Sequence, residues 1–167
     1  GFNADERNRR VFDGVLAHIA GGARGGFNTR FAQPSRSSSS YLYPNEIFPF
    51  ADAAQTDVAN GISNGLLARV RPQFVPRIFY TNSANEYWRG SAALTHVTLD
   101  ARRDLPPPGT TRIYFFAGTQ HGPAPFPPRV NEGRLAGNPN AYSSFMRSLL
   151  LKLDEWVADD VLPPASV

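Results

Sequence analysis

Glu86 and His121 are the residues of this chain whose types and surroundings best suit paired acid–base work. Each stands a few residues beyond a short apolar run, Glu86 in Tyr80-Thr-Asn-Ser-Ala-Asn-Glu-Tyr-Trp88 and His121 in Ala117-Gly-Thr-Gln-His-Gly-Pro123. A carboxylate bound to one imidazole nitrogen fixes the tautomer. It also stabilises the imidazolium that forms when the other nitrogen takes a proton from a serine hydroxyl. The plainer alternative is that Glu86 is a first-turn helical carboxylate favoured by the helix dipole and His121 a polar loop residue. The third member of such a set, a serine on a sharp Gly-x-Ser-x-Gly turn between a strand and a helix, is not convincingly found in the 167 residues.

Gly61-Ile-Ser-Asn-Gly65 fits that pattern by letter, but residues 51–60 before it contain no apolar strand, so Ser63 reads as part of a helix-entry turn. Ser83 precedes Glu86 on the same turn, has no flanking glycines and reads as a helix cap. His18 alternates with apolar neighbours and is expected to be a satisfied core histidine, and His96 is expected at a helix end. Asp52, Asp57 and Asn60 lack the spacing of a calcium loop and read as solvated loop residues, so no metal is expected. The absence of cysteine excludes disulfides, thiolate catalysis and cysteine-ligated metals.

The elements that must hold Glu86 and His121 in place are short. Fifteen prolines and fourteen glycines imply long irregular connections, while 41% hydrophobic residues suffices for the core of one domain spanning 1–167. Residues 11–20 read as a buried strand ended by Gly21-Gly22, Pro76–Thr81 as a second and Thr111–Ala117 as a third. Asn64 is placed to cap a short helix through about Val70, a further helix runs from near Asn85 past Leu94, and Asn138-Pro139 opens a last helix stopped by Pro163-Pro164. Strands alternating with helices give an α/β fold, about three parallel strands with flanking helices. Residues 22–63 have no sustained periodicity yet carry Phe27, Phe31, Tyr41, Tyr43, Phe48 and Phe50; they are expected to form an aromatic-rich cap loop over a pocket.

The charge pattern narrows the partners. The formal net charge is +3, with Lys152 the single lysine and the arginines scattered, which is not the basic stripe of a nucleic-acid footprint. No run approaches the length of a membrane span, and the polar start at Gly1 is not a signal peptide.

Taken together, Gly1-Phe-Asn-Ala-Asp-Glu6, Val11-Phe-Asp-Gly14, Phe27-Asn-Thr-Arg-Phe-Ala-Gln-Pro-Ser35, Tyr80–Trp88, Phe116-Ala-Gly-Thr-Gln-His-Gly122 and Leu153-Asp-Glu-Trp-Val157 resemble a bacterial α/β-hydrolase-domain family over nearly the whole chain. The resemblance implies the C-terminal part of an α/β-hydrolase fold, with a Gly-x-Ser-Gln-x-Gly-Arg elbow before Gly1. Glu86 is then the triad acid and His121 the base, and the chain order acid before histidine agrees with such enzymes. Arg30 and Gln33, in the string Arg-Phe-Ala-Gln-Pro, are candidates for orienting a polar substrate group or for a structural role. The implied activity is serine hydrolysis of a small carboxylic ester without a cofactor, in partnership with the N-terminal half of the same enzyme, in an exported bacterial protein. A non-catalytic ligand-binding domain with the same layout is the alternative. On its own, the chain is expected not to hydrolyse activated esters above background.

Overall fold

The computed structural model describes residues 3–22, 47–128 and 135–166. In chain order the elements are β1 (Gly14–His18), β2 (Gln55–Thr56), β3 (Ser63–Asn64), β4 (Arg77–Ser83), α1 (Ala84–Arg89), β5 (Thr111–Phe116) and α2 (Ser143–Asp159), with single 3-10 turns at Pro72–Phe74 and Ala92–Thr95. β1, β4 and β5 form one parallel sheet in that spatial order, and β2 and β3 form a separate antiparallel hairpin. The register sets His18 beside Thr81 and Ser83 beside Phe116, so all three parallel strands present their carboxyl ends along one edge.

β4 is the middle strand, and its sequence Arg-Ile-Phe-Tyr-Thr-Asn-Ser is buried on both faces, as a parallel strand covered from two sides must be. On one face Phe79 meets Tyr114 edge to face at 5.1 Å and stacks on Trp156 at 5.8 Å, with Leu153 completing the cluster and Leu16 and Leu149 against it. Leu153 and Trp156, three apart on α2, thus turn one stripe of that helix to the sheet. The guanidinium carbons of Arg77 and Arg112 each lie 4.9 Å from the Trp156 ring, closing the cluster with cations over an aromatic face. Gly14 permits the close approach of α2 to β1, because a Cβ there would stand 3.1 Å from Val157 Cγ2 and 3.3 Å from Leu153 Cγ. α2 ends at Asp160 in the left-handed region, where Arg77 pairs with the Asp160 carboxylate at 2.5 Å.

Four expected elements differ in extent or kind. The first strand is confined to 14–18, with Val11 and Phe12 exposed, because the side-chain amide of Asn3 takes both backbone groups of Phe12: it donates to the carbonyl and accepts from the N–H, each at 2.6 Å. Asn64 caps no helix; it closes the β2–β3 hairpin, whose turn is shaped by Asp57 accepting from Ala59 N–H and by Asn60 accepting from Ile62 N–H. Ser63 lies in that hairpin, its hydroxyl 2.6 Å from that of Thr56. α1 stops at Arg89 instead of running past Leu94, since Gly90 packs against Gly21, its carbonyl accepts from Gly22 N–H at 2.8 Å, and Ser91 turns left-handed at φ 54°. α2 begins at Ser143 and not at Asn138, whose side chain is engaged elsewhere.

Asp52 is a further correction. It is buried, not solvated, accepting from the Tyr80 hydroxyl at 2.9 Å and from the Thr111 hydroxyl at 2.7 Å. Burial pushes its carboxyl above the usual range, against the lowering effect of the two hydroxyls, and drives the Tyr80 phenol upward as well. This bond fastens the 47–66 segment to the start of β5. Most of the expected cap, residues 23–46, lies outside the described residues; at its described end Phe48 and Phe50 meet edge to face at 6.1 Å.

Candidate active site

β4 delivers Glu86 by running straight into α1. Ser83, the last residue of the strand, is the N-cap: its hydroxyl oxygen accepts from Asn85 N–H at 3.2 Å, and its own N–H donates to Glu86 Oε2 at 3.1 Å, a reciprocal capping box. The Ser83 hydroxyl also donates to Glu86 Oε2. On the other carboxylate oxygen, Asn85 Nδ2 donates at 2.8 Å and His121 Nδ1 lies at 2.7 Å. Glu86 is therefore 4% exposed and yet hydrogen-bonded on both oxygens. Burial alone would raise its pKa, but the bonds from Ser83, Asn85, His121 and the Ser83 backbone outweigh it and bring the carboxyl down to about 2.

An ionised carboxylate can only accept, so Nδ1 of His121 donates to it, and in the neutral ring Nε2 is then the nitrogen with a lone pair to offer. The His121 ring is 64% exposed, open to whatever approaches the carboxyl edge of the sheet. β5 delivers it through a tight turn in which Gly118 has φ +67° and Thr119 donates its hydroxyl to Phe116 O at 2.7 Å. The two members thus follow adjacent parallel strands, Glu86 in the first turn of α1 after β4 and His121 in the loop after β5, where the crevice of an open sheet lies. Such a pair holds a histidine in one tautomer beside a permanent negative charge. It can accept a proton from a hydroxyl and hand it on, with the imidazolium stabilised in between.

A family model described as "Alpha/beta hydrolase domain" matches residues 1–167, and the three-stranded parallel sheet with flanking helices fits such an α/β fold. The chain belongs to the alpha/beta hydrolase domain family. Comparison with curated proteins and with solved structures gave no match.

Within the hydrolase fold, His18 occupies the carboxyl end of β1. Its Nδ1 is 2.8 Å from the Thr81 hydroxyl and its ring lies edge-on to Tyr142 and Phe116, so it is a satisfied, half-buried histidine at the rim of the site. Burial lowers its pKa, with Glu86 opposing the shift and His121 adding to it. His96 follows the 3-10 turn at 92–95 and stacks on Tyr87 at 5.7 Å. Arg30 and Gln33 lie outside the described residues. Asp57 and Asn60 bond to each other in the hairpin turn, and among the described residues no three His, Asp or Glu side chains converge on a metal position. Among the same residues no helix is long and apolar enough to cross a membrane.

Three contacts of the site have no forerunner in the sequence. Tyr142 donates its hydroxyl to His121 O at 2.6 Å, and Asn138 and Asn140 donate their side-chain amides to Gly118 O at 2.7 and 3.0 Å. Asn-Pro at 138–139 reads in sequence as a helix start, the ordinary meaning of that pattern. Asn85, beside Glu86, was likewise invisible as a partner of the carboxylate.

Proposed function

We propose that Glu86 and His121 are the acid and base of a Ser-His-Glu triad in a carboxylic ester hydrolase, with the nucleophilic serine outside residues 1–167. One observation carries this reading: the 2.7 Å contact between His121 Nδ1 and a buried, ionised Glu86 at the carboxyl edge of a hydrolase-family sheet. His121 Nε2 takes the serine proton as the serine oxygen bonds to the ester carbonyl carbon, and Glu86 stabilises the imidazolium. The tetrahedral adduct collapses, the carbon–oxygen bond to the alcohol breaks, and His121 returns the proton to that alcohol. Water, deprotonated by the same nitrogen, then attacks the acyl-serine, and carboxylic acid and free serine are released. The oxyanion donors belong to the backbone after that serine and to an earlier loop, both outside this chain. Arg30 and Gln33, in the aromatic-rich segment, are proposed to orient a polar substrate group or to serve a structural role.

The test is hydrolysis of chromogenic esters and labelling by a serine-directed phosphonate, on this chain and on the complete reading frame. Turnover and stoichiometric labelling are expected in the complete protein alone, and His121→Ala should abolish turnover with little change in thermal midpoint. Labelling of Ser63 in the isolated chain would overturn the assignment of the nucleophile. Full turnover in His121→Ala would overturn the assignment of the base. Binding of esters without turnover by the complete protein would favour a non-catalytic ligand-binding domain.

A further inference from the structure

We propose that residues 138–142 form a strap whose side chains Asn138, Asn140 and Tyr142 position His121, so that they are positioning residues of the site; the proposal rests on the reading of His121 as the base. The His121 ring is mostly exposed and is gripped by Glu86 at Nδ1, so the direction in which Nε2 points is set by the backbone of 117–122. That backbone is held at two carbonyls. Gly118 O receives the amides of Asn138 and Asn140, and His121 O receives the hydroxyl of Tyr142, bracketing the turn that carries the imidazole. Ala124 N–H donates to Asn138 O at 2.8 Å on the far side of the loop, and Asn140 N–H donates to Asn138 Oδ1 at 2.9 Å, which shapes the strap itself.

The strap is in turn seated on all three strand ends. The buried Tyr142 ring stacks on Phe116 of β5 at 5.2 Å with 10° between planes. It also meets His18 of β1 edge-on at 5.2 Å, and His18 is bonded to Thr81 of β4. Tyr142 is also the residue before α2, whose Leu153 and Trp156 sit in the core. Proton transfer demands alignment at the scale of a few tenths of an ångström, and a misplacement of about 1 Å can cost about a hundredfold in rate. A hydroxyl aimed at the base's own carbonyl is well placed to control it.

Tyr142→Phe keeps the ring and deletes the donor; Asn140→Ala deletes a donor at an exposed position. In the complete enzyme both are expected to lower kcat about tenfold or more while KM stays within about twofold, with a small change in thermal midpoint. A second readout does not need turnover: nitrogen NMR of the His121 ring, where the Nδ1–H tautomer dominates in the parent and is expected to give way to a mixture in both variants. A shifted tautomer supports the strap even if His121→Ala shows the triad reading to be wrong. An unshifted tautomer with unchanged kcat in both variants overturns it. If the ring alone matters, Tyr142→Phe is silent and only Tyr142→Leu is impaired, which also overturns it.

Discussion

The acid limb of stability isolates the energetic role of Glu86. Its carboxyl sits at about 2 against an ordinary 4.5, because hydrogen bonds to the charged form outweigh the burial that opposes it. At about 1.4 kcal/mol for each tenfold change, that distance corresponds to about 3 to 4 kcal/mol, a ceiling because part of it comes through the solvent-exposed His121. The folded pKa is depressed, so the stabilisation is fully present above the unfolded value and is lost as pH falls from about 4.5 to about 2. Glu86→Gln retains an acceptor but brings an amide donor to face Ser83 N–H, Asn85 Nδ2 or His121 Nδ1, all donors. The variant is therefore expected to be about 2–3 kcal/mol less stable at neutral pH, and to close most of that gap by about pH 2.5. Denaturant titrations of parent and variant at a series of pH values measure the gap directly. A gap that stays constant from neutral to about pH 2.5 would refute the claim that the native carboxylate is held by its hydrogen bonds.

Ser83→Ala removes both the helix cap and a donor to the carboxylate; it should cost about 1–2 kcal/mol at neutral pH and move the acid limb upward, as equilibrium unfolding at several pH values will record. Asp52→Ala leaves the Tyr80 and Thr111 hydroxyls without their acceptor and should cost about 1–3 kcal/mol by thermal unfolding, and Asp52→Asn should cost less. Because the Asp52 carboxyl is raised in the fold, its contribution is present at low pH and lost as pH rises above the ordinary carboxylate range, and Asp52→Asn should remove that fall. Gly21→Ala combines φ +63° with a Cβ overlapping the Gly90 carbonyl; a loss of about 1–3 kcal/mol is expected, and an unaltered midpoint would show that the 21–22 and 90–91 segments do not need this contact.

How much of this was legible in the sequence follows from the range of the interactions. The two strands read as Pro76–Thr81 and Thr111–Ala117 lie at Arg77–Ser83 and Thr111–Phe116, legible because buried parallel strands must be continuous runs of apolar and β-favouring residues, which the polar Asn82 and Ser83 are not. Placing Glu86 and His121 at one edge needed only the rule that loops after parallel strands share a side. Ser83 as a cap followed from local chemistry three residues from Glu86. The β2–β3 hairpin was hidden because two-residue strands carry no alternation. The burial of Asp52 was hidden because a loop carboxylate looks the same in sequence whether or not two hydroxyls from the sheet await it. Asn138 reads as a cap by its neighbours, but its amide is drawn to a carbonyl twenty residues away, and no local pattern encodes that choice.

The two tryptophans divide the molecule for spectroscopy. Trp156 is 1% exposed, stacked on Phe79 beneath two guanidinium groups, whereas Trp88 is 82% exposed on α1, two residues from Glu86. Emission from the first is expected at short wavelength and beyond the reach of iodide, and emission from the second at long wavelength and open to it. With Trp156→Phe the remaining signal becomes a reporter of events at the carboxyl edge of the sheet. With Trp88→Phe it becomes a reporter of the core, so a local change at that edge can be told apart from unfolding in the same cuvette.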